Sequence, residues 1–312
     1  MSHTSQHPDT PIHMRWMAET PRLQHLRIDE LILPGAHNSG SDKQSPNLGL
    51  PQECAQDVSP HEQLRHGIRV LDLRIAFYKK HPLGSPQRFQ LYHLTSSGRT
   101  VAVDVIQKVQ AFYRELESHG VPAKEIIVLD FHQFDKFTPE AHAELQALLL
   151  NELEPRLVPY TLRGLTLSRL WADHPGRNVV IAYNHGSGGY EFWYGVDQRW
   201  PGENLFNTNT LKGFIDKTAQ ETKTPHRLTA VQCAKYSLPF HAATDLSDKI
   251  NQWFASVDEQ SYIQNFYIIN TDWSLRSDLI QQCRHANDIR GQRKLDHPEA
   301  PLQPALRLIS TE

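Results

Sequence analysis

The chain has 312 residues, 39% of them hydrophobic and 21% charged, with a formal net charge of −3 at pH 7. This is the composition of a globular protein able to bury a large core. It lacks the basic footprint of a nucleic-acid binder and any run of about eighteen apolar residues that could span a membrane. Three widely separated cysteines, Cys54, Cys233 and Cys283, fit neither a disulfide framework nor a metal-ligand spacing, and point to a reducing compartment.

Residues 1–25 are polar and poor in apolar anchors, so a loose arm is expected there, with 26–312 forming one domain. No signal peptide is visible in Met1–Met17, so the expected location is cytoplasmic, or outside the cell by another export route, with any membrane contact peripheral. The first strand is expected over Glu30–Ala36, delivering the chain to Pro34-Gly35-Ala36-His37-Asn38-Ser39-Gly40. Ser59-Pro60-His61-Glu62 then starts a short helix, with serine as cap and proline at the first helical position, and Gly67 stops it.

Further strands are expected at Ile68–Ala76, Arg88–Tyr92, Glu125–Phe131, Asn178–Tyr183, Leu228–Cys233 and Phe266–Thr271. Between them, apolar residues at helical spacing mark helices over 101–119, after Thr138-Pro139, over 210–222, 245–257 and 274–289. Strands alternating with helices imply a parallel sheet, and seven such units favour an α/β barrel over an open sheet. A glycine- and aromatic-rich loop runs from His185 to Trp200.

Side chains alternate across a strand. Asp72 and Arg74 therefore share one face, and Asp130 and His132 share another. A carboxylate inside an Ile-Val-Leu run must find a partner, because an unpaired buried charge is very costly. His37, Arg74, His93, Asp130 and Asp272 all fall near the C-terminal ends of expected strands, the face on which barrels build active sites. Two histidines and an arginine suit in-line phosphoryl transfer. One imidazole takes a proton from the attacking hydroxyl, the other gives one to the leaving oxygen, and the guanidinium meets the phosphoryl charge.

The stretches Leu33–Ser39, Gly67–Arg74 and Glu125–Phe131 together resemble the X-domain of the phosphatidylinositol-specific phospholipase C family. They are closest in look to the bacterial enzymes and the small X-domain-containing proteins. Trp200-Pro201-Gly202 followed by Asn207-Thr208-Asn209-Thr210 is similar to a pattern of the latter group. The resemblance spans about residues 30–290. It implies a distorted TIM barrel that cleaves phosphatidylinositol to diacylglycerol and inositol 1,2-cyclic phosphate.

Carried across by position, the resemblance makes His37 the general base for the inositol 2-hydroxyl, Arg74 the phosphoryl ligand and His93 the general acid. Asp272 becomes the carboxylate behind the base, and Asp72 an acidic wall residue. Asn38, Asp130, His132, Tyr183 and Asn184 are candidates for substrate contact. Trp193 and Tyr194, in the aromatic loop, are candidates for contact with a bilayer, where such rings are favoured.

Two positions depart from the family pattern. Asn38 stands where metal-independent bacterial enzymes carry an aspartate, and it matches a calcium ligand of the calcium-dependent branch. Leu94 follows His93 where many relatives have glycine. A cation at Arg74 repels calcium, and Asn38 with Asp72 is a sparse shell for an ion that takes six to eight oxygens, so no metal and no cofactor is expected. The alternatives are a metal-dependent phosphodiesterase acting on another phospholipid or glycerophosphodiester, with calcium as the ion, and a non-catalytic headgroup-binding module.

Overall fold

The computed structural model describes residues 13–47, 49–186, 190–202, 207–235 and 241–298. In chain order the regular elements are β1 (Leu33–Ala36), α1 (Pro60–Arg65), β2 (Val70–Phe77), β3 (Phe89–His93), β4 (Thr95–Thr100), α2 (Gln107–Ser118), β5 (Ile127–Asp135), α3 (Pro139–Leu153), α4 (Leu167–Asp173), β6 (Val179–Tyr183), β7 (Trp193–Tyr194), β8 (Asp197–Arg199), α5 (Thr208–Ala219), β9 (Thr229–Cys233), α6 (Ser247–Trp253), β10 (Ile268–Thr271) and α7 (Leu279–Asp296). The main path of the sheet runs β7-β6-β5-β2-β1-β10-β9-β8, with all its pairings parallel. Strand β3 pairs antiparallel with β2 and with β4, making a hairpin beside the main path.

The two edge strands, β7 and β8, are separated in sequence only by Gly195 and Val196. The sheet therefore curls into a barrel that is open at one seam, where the chain steps from edge to edge. Gly195 permits that step, because a Cβ there would lie 2.7 Å from the Asn184 Cα. This is the α/β barrel that the element pattern predicts, of the distorted TIM type that the resemblance implies, in a single domain. Strand β5 runs on to Asp135, well past Phe131. Strand β3 falls where a strand was expected over Arg88–Tyr92, whereas β4 and the short β7 and β8 were not foreseen, and two- and three-residue strands such as the last two carry no periodicity.

Near-continuous apolar runs make the barrel wall. Val128, Leu129, Val179, Val180 and Ile181 are all fully buried, as expected for strands covered on both faces. The stretch 101–119 is helical throughout but starts as a π-helical turn, Val101–Ile106, before continuing as α2.

Residues 13–25 are not a loose arm. Met14, Trp16 and Met17 are buried, and the Trp16 indole N–H donates to the Gly67 carbonyl at 3.0 Å. Behind them Arg69 and Glu125, both without solvent exposure, form an ion pair at 2.6 Å, and Ala18 N–H donates to the same carboxylate at 2.9 Å. Arg69 and Glu125 directly precede β2 and β5, so this segment plugs the barrel end opposite the strand C-termini. A buried guanidinium–carboxylate pair holds only when its remaining hydrogen-bonding groups are met. Arg69 meets them through the carbonyls of Leu64, Ile68, His13 and Met14. Residues 1–12 lie outside the described residues.

Candidate active site

Strands β1 and β10 pair in parallel register, Ala36 beside Thr271. The next residue on each strand is then His37 and Asp272, and their side chains meet at 2.7 Å, Nδ1 to Oδ1. On the other side of the ring, Arg74 Nη2 lies 3.3 Å from His37 Nε2. An ionised carboxylate only accepts and a guanidinium only donates. Both contacts therefore demand the same tautomer, with the proton on Nδ1 and a lone pair on Nε2 aimed at the arginine.

Asp72 and Asp130 are paired directly across β2 and β5, and both are fully buried. One residue later the pairing slips, so that Leu73 opposes Phe131 while Arg74 opposes Gln133. This β-bulge leaves His132 as the extra residue, and bulges re-aim side chains in this way. His132 Nδ1 lies 2.5 Å from Asp72 Oδ1, and the other Asp72 oxygen accepts from the Asn38 backbone N–H at 3.0 Å.

Burial would raise the Asp72 pKa, but His132, and beyond it His37 and Arg74, hold it well below the usual carboxylate range. Burial would lower that of His132, but Asp72 raises it above the usual histidine value. Asp130 is pushed up to about 7 by burial and by the neighbouring Asp72, against the pull of His132. Its carboxylate also accepts from the Gln198 side chain, which in turn accepts from Gln232 Nε2 at 2.7 Å. The barrel interior is thus lined by amides and carboxylates. It is roomy enough for Asn270 only because Gly35 has no Cβ, which would sit 1.9 Å from Asn270 Oδ1.

Asn38 is 2% exposed with a left-handed φ of 46°, and neither side-chain polar atom has a protein partner. Asparagine tolerates that backbone better than most residues. A buried, unpartnered amide costs free energy unless a ligand or water meets it.

His93 ends β3, and its Nδ1 is 3.1 Å from the Glu53 carbonyl, which leaves Nε2 for a ligand. Burial, and then the nearby Arg74, push its pKa down to about 4. Leu94 has a φ of 64° and is exposed. A left-handed turn here is one that glycine adopts freely and leucine does not.

The expected residues His37, Asp272, Arg74, Asp72, His132, Asp130, Asn38 and His93 come together on one face of the barrel. Two others do not. Tyr183 faces the side of the sheet away from Asp130, among Phe131, Phe134 and Phe192, with its hydroxyl 3.0 Å from His142 Nδ1. It offers no group to the pocket. Trp193 is 1% exposed and donates from its indole N–H to the Val158 carbonyl at 3.0 Å, so it packs the core and cannot touch a bilayer. Tyr194 is 47% exposed and Tyr190 77%. Asn184 is exposed, and its amide donates to the His132 carbonyl at 3.0 Å, bracing the bulge. The residues that sequence reasoning missed are Gln198 and Gln232, on strands too short or too apolar to flag them, and Gln56, in a loop without motif.

Among the described residues, Asp72, Asp130 and His132 offer ligand atoms within 4.8 Å of one another. Asp72 is engaged by His132 and by the Asn38 N–H, while Asp130 accepts from Gln198 through one oxygen and its Oδ1 has no protein partner.

The solved structures that match this chain include a mutant phosphatidylinositol-specific phospholipase C from Staphylococcus aureus. It superposes with a TM-score of 0.62 at 14% identity, over 91% of this chain and 100% of that one. The fold is that of the bacterial phosphatidylinositol-specific phospholipases C. The enzyme of that name from Listeria monocytogenes gives a TM-score of 0.61 at 19% identity, over 89% of this chain and 98% of that one. No family model and no curated protein sequence matches.

Proposed function

We propose that this chain is a phospholipase C-type phosphodiesterase acting on phosphatidylinositol-type lipids without a metal ion. One observation carries the reading: the His37 ring, backed by Asp272, presents a lone pair at Nε2 with a guanidinium 3.3 Å away. That is a base beside a phosphate ligand.

In the proposed reaction His37 Nε2 takes the proton of the inositol 2-hydroxyl, and that oxygen attacks phosphorus. The phosphorus–oxygen bond to diacylglycerol breaks, and the leaving oxygen is protonated from His93 Nε2. Inositol 1,2-cyclic phosphate is the other product. Arg74 exchanges its contact with His37 for the non-bridging oxygens, whose charge grows in the transition state. A bound phosphodiester anion also offsets Arg74 at His93, which lets the imidazole hold the proton it must donate. Asn38's amide, which has no protein partner, is available to the same anion. The lipid is met at a membrane surface by peripheral contact, with Tyr190 and Tyr194 on the exposed loop. No helix among the described residues is long and apolar enough to cross a membrane.

The test is a panel of phospholipids incubated with the protein, followed by phosphorus NMR of the water-soluble product. A cyclic phosphate from phosphatidylinositol, formed in EDTA, is the expected result. A metal-dependent phosphodiesterase is the second reading, favoured by the grouping of Asp72, Asp130 and His132. It requires that EDTA abolish cleavage and that a divalent ion restore it. No cleavage of any phospholipid with or without metal would remove both.

A further inference from the structure

Gln56 lies in the long stretch between β1 and α1, and it is 1% exposed. Its amide nitrogen donates to the carbonyl of His37 at 2.7 Å and to that of Thr271 at 3.0 Å. Its amide oxygen accepts from the Ser274 backbone N–H at 3.0 Å and from the Ser274 hydroxyl at 2.8 Å. A primary amide has two donor hydrogens and two acceptor lone pairs, so this one is fully used. The partners are His37 itself, the residue before Asp272 and the residue two after it. The neighbouring Ala55 carbonyl accepts from the Trp273 N–H at 2.8 Å, so the backbone on both sides of Asp272 is tied to residues 55–56.

Ladder pairing of β1 with β10 ends at Ala36 and Thr271. His37 and Asp272 lie one step beyond it. Past Asp272 the chain turns sharply, with Trp273 at a φ of 49°, a left-handed conformation that a bulky aromatic adopts only when its surroundings impose it. One backbone bond, from the His37 N–H to the Thr271 carbonyl at 3.1 Å, still joins the strand ends, but it does not reach Asp272, and the Gln56 amide bridges the two strand ends at that level.

We infer that Gln56 is the positioning residue that sets the His37–Asp272 contact. The inference rests on the reading of His37 as the base. Without the amide, the His37 carbonyl and the Ser274 donors lose these partners, the Thr271 carbonyl keeps only the His37 N–H, and buried groups left unpaired shift until they find others. A displacement of about 1 Å at a reacting group is worth about 100-fold in rate.

Gln56→Met keeps the side-chain length and removes every one of these bonds. Ser274→Ala removes only the hydroxyl contact. In substrate-free protein, the proton shared by His37 Nδ1 and Asp272 is read as a low-field NMR resonance, assigned by its loss in Asp272→Asn. Expected for Gln56→Met are a folded protein, loss or strong broadening of that resonance, and a fall in kcat of about 100-fold with KM within about 3-fold. Ser274→Ala falls between the variant and the parent protein. The resonance needs no substrate, so positioning is tested even where no phosphodiester is cleaved. A folded Gln56→Met with the resonance in place, or with KM raised and kcat intact, overturns the inference. Should Gln56→Met not fold, Ser274→Ala decides, and an unmoved resonance there overturns it.

Discussion

His37 and Asp272 are separated by 235 residues of chain and meet at 2.7 Å. Parallel pairing of β1 with β10 brings them together, and the Arg74 guanidinium on the far side of the ring fixes which nitrogen keeps the lone pair. A carboxylate that fixes a tautomer also stabilises the imidazolium formed when the base takes its proton. Asp272→Asn should therefore lower kcat by about 100-fold or more while leaving the thermal midpoint nearly unchanged. Steady-state kinetics on a long-chain lipid, with a melting curve as control, check this. Near-normal turnover would show that the pair is structural.

On the proposed reading, Arg74 takes the place of a divalent ion at this site. Two cations a few ångströms apart repel by several kcal/mol even at an effective dielectric of about 20. Activity is expected to survive EDTA and EGTA unchanged. Arg74→Lys should lose most of the rate, because a point charge cannot reproduce the planar, two-pronged contact with phosphoryl oxygens. Loss on chelation with recovery in calcium would make the Asp72, Asp130 and His132 group a metal centre.

His93 is held down to about 4 by burial and by Arg74. Its folded pKa lies below the ordinary histidine value of about 6.5, so between roughly these values the unfolded chain binds more protons than the folded one. Its contribution to stability is present above the unfolded pKa and is lost as pH falls toward 4. His142, buried against His185 and also pushed down to about 4, acts in the same direction. Urea melts from pH 7 to 4 should show a steady loss that His142→Phe reduces. Inorganic phosphate, by offsetting Arg74, should raise the His93 pKa in a histidine NMR titration. An unchanged value in phosphate speaks against His93 as the proton donor.

The buried Arg69–Glu125 pair and the segment over it predict a second kind of effect. Removing one partner leaves a buried charge alone, at about 3–5 kcal/mol. Arg69→Met should lower the thermal midpoint strongly, as read in a melting curve. A small change for Arg69→Met would mean that water reaches the barrel floor.

In the aromatic loop the two adjacent rings divide between core and surface. Trp193→Ala should destabilise the fold by about 3–5 kcal/mol, as for other buried aromatics. The double variant Tyr190→Ala, Tyr194→Ala should weaken vesicle binding without changing the melting curve. Equal vesicle sedimentation before and after the double substitution would place lipid contact elsewhere on the molecule.

The sequence by itself determined the barrel and most of the residues that gather at the candidate site. Alternating apolar strands and amphipathic helices leave few ways to bury both faces of a sheet, and polar residues at strand ends must then gather on one rim. His37, Arg74, His93 and Asp272 were legible for that reason. Three matters were decided only by the tertiary structure. The bulge after Leu73 turns His132 onto Asp72, and a one-residue slip in pairing leaves no mark in either strand alone. The inward or outward fate of Trp193 and Tyr183 depends on which neighbours cover them, since the same ring suits a core and a membrane rim. Gln56 became visible last. A glutamine in a loop carries no local signal, and its role comes from the strand ends, distant in sequence, that its amide bridges.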